Sequence, residues 1–218
     1  MRQLYRSTSA MATHWAVHNC GEDARISRNV AIRAVRGNIV RTSARPGQDN
    51  GSVYTRRMPR LVVVLPLTPL ETGASFAVES WPLHITVLAP FETDAAPAEI
   101  ARVSAAALAG FVAVTVVAGQ DELFGRHHDI AVTLIDENAA LTRLHDLLVA
   151  ALRPLRSSPT EPAFTGPNFR AHVTVKSQGR VHVGDEITLT QLAVVDMAPR
   201  SASSGRTVLA TIELVPTR

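Results

Sequence analysis

Two four-residue stretches of the chain nearly repeat each other: HITV at 84–87 and HVTV at 172–175, with the histidines 88 positions apart. Each is a histidine, an apolar β-branched residue, a threonine and a valine. β-Branched side chains favour extended backbone. In a strand, residues i and i+2 share one face and i+1 and i+3 the other. His84 and Thr86 therefore face one way, with Ile85 and Val87 opposite; His172 and Thr174 repeat this against Val173 and Val175. Each strand should bury its valine side under a helix and show an imidazole and a hydroxyl on the other. A chain that carries the pattern twice is expected to be built from two similar halves.

The elements around the motifs support that expectation. Residues 60–67 are a β-branched run that stops at prolines, which predicts a buried strand. A second strand spans 84–88, opened after Pro82 and closed by Pro90. Asp94 is the expected N-cap of a helix that has Pro97 in its first turn and runs to about 109. Strands follow at 111–117 and 130–135, joined by a polar connector containing GQDELFGRHHD. Asn138 should cap a helix ending near Leu152, with Leu141, Leu144, Leu148 and Leu152 on one stripe. After a Pro- and Ser-rich loop at 154–167, strands are expected at 169–175, 186–195 and 206–214. The fold class is therefore α+β: two pseudo-symmetric lobes, each an antiparallel sheet backed by a helix, with a central cleft between them.

Charge divides the 218-residue chain at about residue 57. The formal net charge is +3. Residues 1–57 hold ten arginines and three acidic residues, whereas 58–218 hold 12 basic and 16 acidic residues, a net −4. The body is thus ill-suited to tracking a long phosphate backbone by bulk charge. Residues 1–57 lack any sustained period and read as a disordered or non-native N-terminal extension, with 58–218 as the folded domain; their Arg- and Ser-rich composition also matches an organellar transit peptide. No apolar run approaches the ~20 residues of a membrane span. The single cysteine, Cys20, allows neither an internal disulfide nor a cysteine-based zinc site, which points to a reducing, cytoplasmic setting.

Two histidines and two threonines converging on one cleft suit phosphoryl chemistry without a metal. Imidazoles near their ordinary pKa of ~6.5 serve as acid or base at neutral pH. Placed on opposite sides of a phosphorus, one removes a proton from the attacking oxygen while the other supplies one to the leaving oxygen. Threonine hydroxyls can donate to the non-bridging oxygens as charge builds there. The other histidines read differently. His127 and His128 have no further ligand at metal-binding spacing and belong in a solvated loop. His145, on a helix, and His182, beside a hairpin, are expected at the surface. No phosphate-loop or dinucleotide-binding glycine pattern occurs.

Over about 59–215 the chain resembles the 2H phosphoesterase superfamily, and within it the bacterial 2′-5′ RNA ligase / RNA 2′,3′-cyclic phosphodiesterase group. The resemblance rests on PLHITVLAPF and FRAHVTVK. Departures are the valine ending both motifs, where leucine is frequent, and Ala171 before the second histidine, where proline is frequent. The resemblance implies a metal- and cofactor-independent phosphodiesterase in which His84 protonates the leaving oxygen, His172 activates water, and Thr86, Thr174 and Lys176 hold the phosphate. It also implies reverse 2′-5′ ligation driven by the strained cyclic ester. The expected partner is an RNA 2′,3′-cyclic phosphate end or a cyclic nucleotide, met by a monomer away from membranes. Two other readings stand beside it: a hydrolase of a small cyclic nucleotide or ADP-ribose cyclic phosphate, and a non-catalytic RNA-end-binding module. Base recognition would fall to loops at 121–129 and 157–168.

Overall fold

The structure is a computed structural model that describes residues 58–157, 164–197 and 205–216. The expected extension at 1–57 and part of the 154–167 loop lie outside the described residues. The elements run β1 (Arg60–Pro66), β2 (Ser75–Phe76), β3 (His84–Glu92), α1 (Pro97–Ala107), β4 (Val114–Phe124), β5 (Ile130–Ile135), α2 (Ala139–Leu152), β6 (His172–Thr174), β7 (Glu186–Leu189), β8 (Gln191–Asp196) and β9 (Arg206–Glu213). The fold is α+β, and the paired strands are antiparallel. They form one run in the order β2-β9-β8-β1-β3-β6-β5-β4-β7.

That order forces the sheet to curl. β7 ends the row and β8 stands third from the other end, yet only Thr190 separates them in sequence. Six strand spacings of ~4.8 Å come to about 29 Å, far beyond the ~7 Å that the two steps across Thr190 can span. The far edge must bend round to meet the β8–β9 end. A parallel bridge between Val112 and Val215 and the Leu214 N–H bond to the Thr190 carbonyl close that gap.

β1 is buried on both faces, as its unbroken apolar run requires. Leu61, Val63 and Leu65 join the main core with Ile85, Val87, Ile100 and the α2 leucines. Val62 and Val64 join a smaller cluster with Trp81, Ala193, Val195 and Val208. Asn138 caps α2, its side-chain oxygen accepting from the Leu141 N–H at 3.0 Å. Leu141, Leu144, Leu148 and Leu152 form the buried stripe. Among the described residues no helix is long and apolar enough to cross a membrane.

Several boundaries differ from the sequence reading. β3 continues through Pro90 to Glu92 because Pro90 falls in a register step, between Leu61↔Phe91 and Val63↔Leu88, where the ladder does not need its missing N–H. β4 extends to Phe124, so most of the expected connector is strand. Gly119 makes this work: it sits where the β4–β5 register shifts, and a Cβ there would lie 2.3 Å from the Asp136 carboxylate. The expected strand at 186–195 is two strands on different neighbours, β7 on β4 and β8 on β1 and β9. β6 spans only three of the seven residues expected. α1 is capped at Ala96 without a side-chain bond, and Asp94 is not its cap; instead Thr93 Oγ1 accepts from the Ala95 N–H at 3.0 Å.

Candidate active site

β3 and β6 lie side by side, with Ile85 paired to Val173. One residue to either side of that pair, antiparallel register sets His84 opposite Thr174 and Thr86 opposite His172. Ile85, Val87 and Val173 are buried in the main core, while His84, Thr86, His172 and Thr174 are half-buried on the other face. Directly opposed residues in such a pair stand about 5 Å apart and diagonal ones about 7–8 Å, which is the spacing this register gives the two histidines.

The imidazoles are held in the same way. His84 Nδ1 donates to the carbonyl of Pro82 at 2.7 Å, and His172 Nδ1 donates to the carbonyl of Arg170 at 2.8 Å. A carbonyl only accepts, so each ring carries its proton on Nδ1 and keeps the Nε2 lone pair. Each also leans on an aromatic residue. His84 stacks on Trp81 with centroids 3.9 Å apart, and His172 meets the edge of Phe124 at 4.8 Å.

The surroundings press both rings toward the neutral form. Burial pushes the His84 pKa from 6.5 to about 4, against the pull of the Pro82 carbonyl and with help from Lys176 and His172. Burial also lowers His172; the Arg170 charge adds to this, whereas the Arg170 carbonyl and Glu122 oppose it. Lys176 Nζ donates to the Trp81 carbonyl and lies 5.2 Å over the indole. Its charge therefore stands beside His84.

Several neighbours were not singled out from sequence. Arg170 forms a two-pronged ion pair with Glu122 and lies 4.9 Å over the Phe124 ring. The pair holds the Glu122 carboxyl below its ordinary range. On the same strand, Asp121 takes bonds from Arg180 and from Thr133, the latter at 2.8 Å. A pocket beside His172 is lined by Thr86, Ala89, Phe169 and Arg170 among others; His84 and Thr174 are not in its lining. Trp81 had a sequence signal, an aromatic residue three positions before a motif histidine. Glu122 and Phe124 had none, because a segment read as a connector gives no side-chain alternation to follow.

His145 is a correction. It is fully buried rather than at the surface. It stands four residues after Leu141, which places it on the leucine stripe itself. His127 and His128 are exposed in the turn after β4, and His182 is exposed as expected. Among the described residues no group of three His, Cys, Asp or Glu side chains could hold a metal ion.

Comparison with known proteins bears on this arrangement. A search of curated proteins finds no match. Among solved structures, TT0787 of Thermus thermophilus superposes with a TM-score of 0.51 at 16% identity, covering 73% of this chain and 100% of that one. E. coli LigT complexed with 3′-AMP is similar at a TM-score of 0.48 and 15% identity, covering 72% of this chain and 99% of that one. The profile described as the 2′-5′ RNA ligase superfamily matches residues 67–195, a span that takes in both histidine strands and more than half of the sequence. On that match the chain belongs to the 2′-5′ RNA ligase superfamily, within the 2H phosphoesterases that its twin motifs resemble.

Proposed function

We propose that the protein opens 2′,3′-cyclic phosphate ends of RNA or nucleotides by two-histidine acid–base catalysis, with no metal or cofactor in the scheme. The observation that carries this reading is the matched pair of imidazoles on adjacent strands, each with Nδ1 tied to the carbonyl two residues before it. Each ring then has Nε2 available for a proton. His172 Nε2 takes a proton from water as the water oxygen bonds to phosphorus. The P–O bond to one ribose oxygen breaks, and that oxygen takes a proton from His84, leaving a phosphomonoester and a free hydroxyl. Thr86 and Thr174 donate to the non-bridging oxygens. Lys176, bound to the Trp81 carbonyl, supplies positive charge for the phosphate.

His84 can donate only when protonated, and burial disfavours that in the free protein. A phosphate anion between the rings would favour the charged form and offset that penalty. A ribose hydroxyl in place of water gives a 2′-5′ linkage by the same steps. The strand row supports a two-lobe reading: β2, β9, β8, β1 and β3 on one side and β6, β5, β4 and β7 on the other, with a histidine strand at each inner edge. The net −4 of residues 58–218 favours a small cyclic nucleotide or ADP-ribose cyclic phosphate as a second reading. Assaying a panel of 2′,3′-cyclic phosphate substrates in EDTA tests both: turnover of dinucleotides supports the first, and turnover of small cyclic nucleotides alone supports the second. A protein that binds such ends and opens none would be a binding module.

A further inference from the structure

We infer that His145, a residue outside the reaction scheme, is a positioning residue that fixes the bulge after Thr86 against the segment leading to His172; the inference rests on the acid–base reading above. Val63 pairs with Leu88 and Val64 with Thr86, so Val87 is the extra residue of a β-bulge directly after Thr86. Bulges leave backbone groups out of the ladder and re-aim the side chains beside them. His145 Nδ1 donates to the Val87 carbonyl at 2.7 Å.

The other nitrogen of the same ring faces the second strand's approach. His145 Nε2 accepts the Gly166 N–H at 3.3 Å, and the ring lies flat on Phe169, with centroids 4.0 Å apart and planes 4° from parallel. Phe169 stands three residues before His172 and lines the pocket beside it with Thr86 and Arg170. One buried ring on α2 thus ties the bulge of the first motif strand to the segment that leads into the second. The partners also fix its state: the Val87 carbonyl can only accept and the Gly166 N–H can only donate, so the proton is on Nδ1 and the lone pair on Nε2.

The test uses ¹⁵N-labelled full chain, imidazole spectra at one pH, and turnover of a 2′,3′-cyclic phosphate dinucleotide. Wild-type His145 should show a protonated Nδ1 and a bare Nε2. His145→Phe keeps a flat ring against Phe169 and removes both hydrogen bonds. It should shift the His84 and His172 imidazole signals and lower kcat about 10- to 100-fold, the scale of a misplaced catalytic geometry, while KM changes far less. His145→Asn, with an amide N–H where Nδ1 stood, keeps only the bond to the Val87 carbonyl and should fall between His145→Phe and the wild type on both readouts. Should His145→Phe not fold, the wild-type tautomer and His145→Asn carry the test. A protonated Nε2, unmoved His84 and His172 signals in folded His145→Phe, or a His145→Asn variant equal to either the wild type or His145→Phe would overturn the inference. If the wild type opens no cyclic phosphate, the imidazole signals still decide this point, and only the acid–base reading falls.

Discussion

Burial, the Lys176 ammonium and the second imidazole all press the His84 ring toward its neutral form, and the Pro82 carbonyl opposes them only in part. The consequence for stability has a definite sign. Unfolding restores the ordinary value of 6.5 from about 4, so the unfolded chain binds the extra proton between those limits. Stability is therefore full above pH 6.5 and falls as the pH drops toward 4, by roughly 3 kcal/mol if the whole shift is counted. His172, also lowered, adds to the same slope. Denaturant unfolding of His84→Gln at pH 7 and 4.5 should show a smaller loss than the wild type; an equal loss would mean that the ring titrates normally. On activity, His84→Ala and His172→Ala should each lose about 10²–10⁴ in kcat. Thr86→Val and Thr174→Val, which keep strand shape and remove one donor each, should cost less than either histidine in the same steady-state assay. The motif residues were legible because a two-residue period fixes facing without knowledge of the neighbours. His145 was not: a histidine on an apolar stripe is polar by type, and only the Val87 carbonyl and the Gly166 N–H satisfy its ring nitrogens once it is buried.

Among the elements, α2 was the most legible. Its leucines keep one stripe for about three turns and Asn138 stands where the first free N–H groups need an acceptor. Asn138→Ala should lower unfolding stability by about 1 kcal/mol, read from the denaturant midpoint. The loss should be somewhat greater than for a simple cap, since the Asn138 amide also donates to the Thr115 carbonyl at 3.0 Å. The strands were less legible wherever a tertiary partner overrides a local stop signal. Pro90 reads as an end, yet a register step accommodates it inside β3. Gly119, Asp121 and Glu122 read as loop, yet the ladder to β5 pairs Asp121 with Thr133 and Glu122 with Val132 and keeps β4 extended beyond Gly119. Thr190 gives no sign that the chain changes sheet neighbours there, because β-branched residues continue on both sides of it.

For the whole molecule, curling joins what the strand row separates. It brings β7 to β8, while the centre of the row holds β3 and β6 with the four motif side chains on one face. The first core strand begins at Arg60, so a chain starting at Met58 should fold with the full chain's unfolding midpoint and keep its activity. Loss of soluble, folded protein on that truncation would make 1–57 part of the domain. The most direct test of the two-histidine reading is the pH profile of kcat/KM on a 2′,3′-cyclic phosphate dinucleotide in EDTA. A bell is expected, its peak on the acid side of pH 6.5 because both free-protein imidazoles titrate low, and EDTA should leave it unchanged. Activity abolished by EDTA and restored by a divalent metal would contradict it, as would His172→Ala turning over at the wild-type rate.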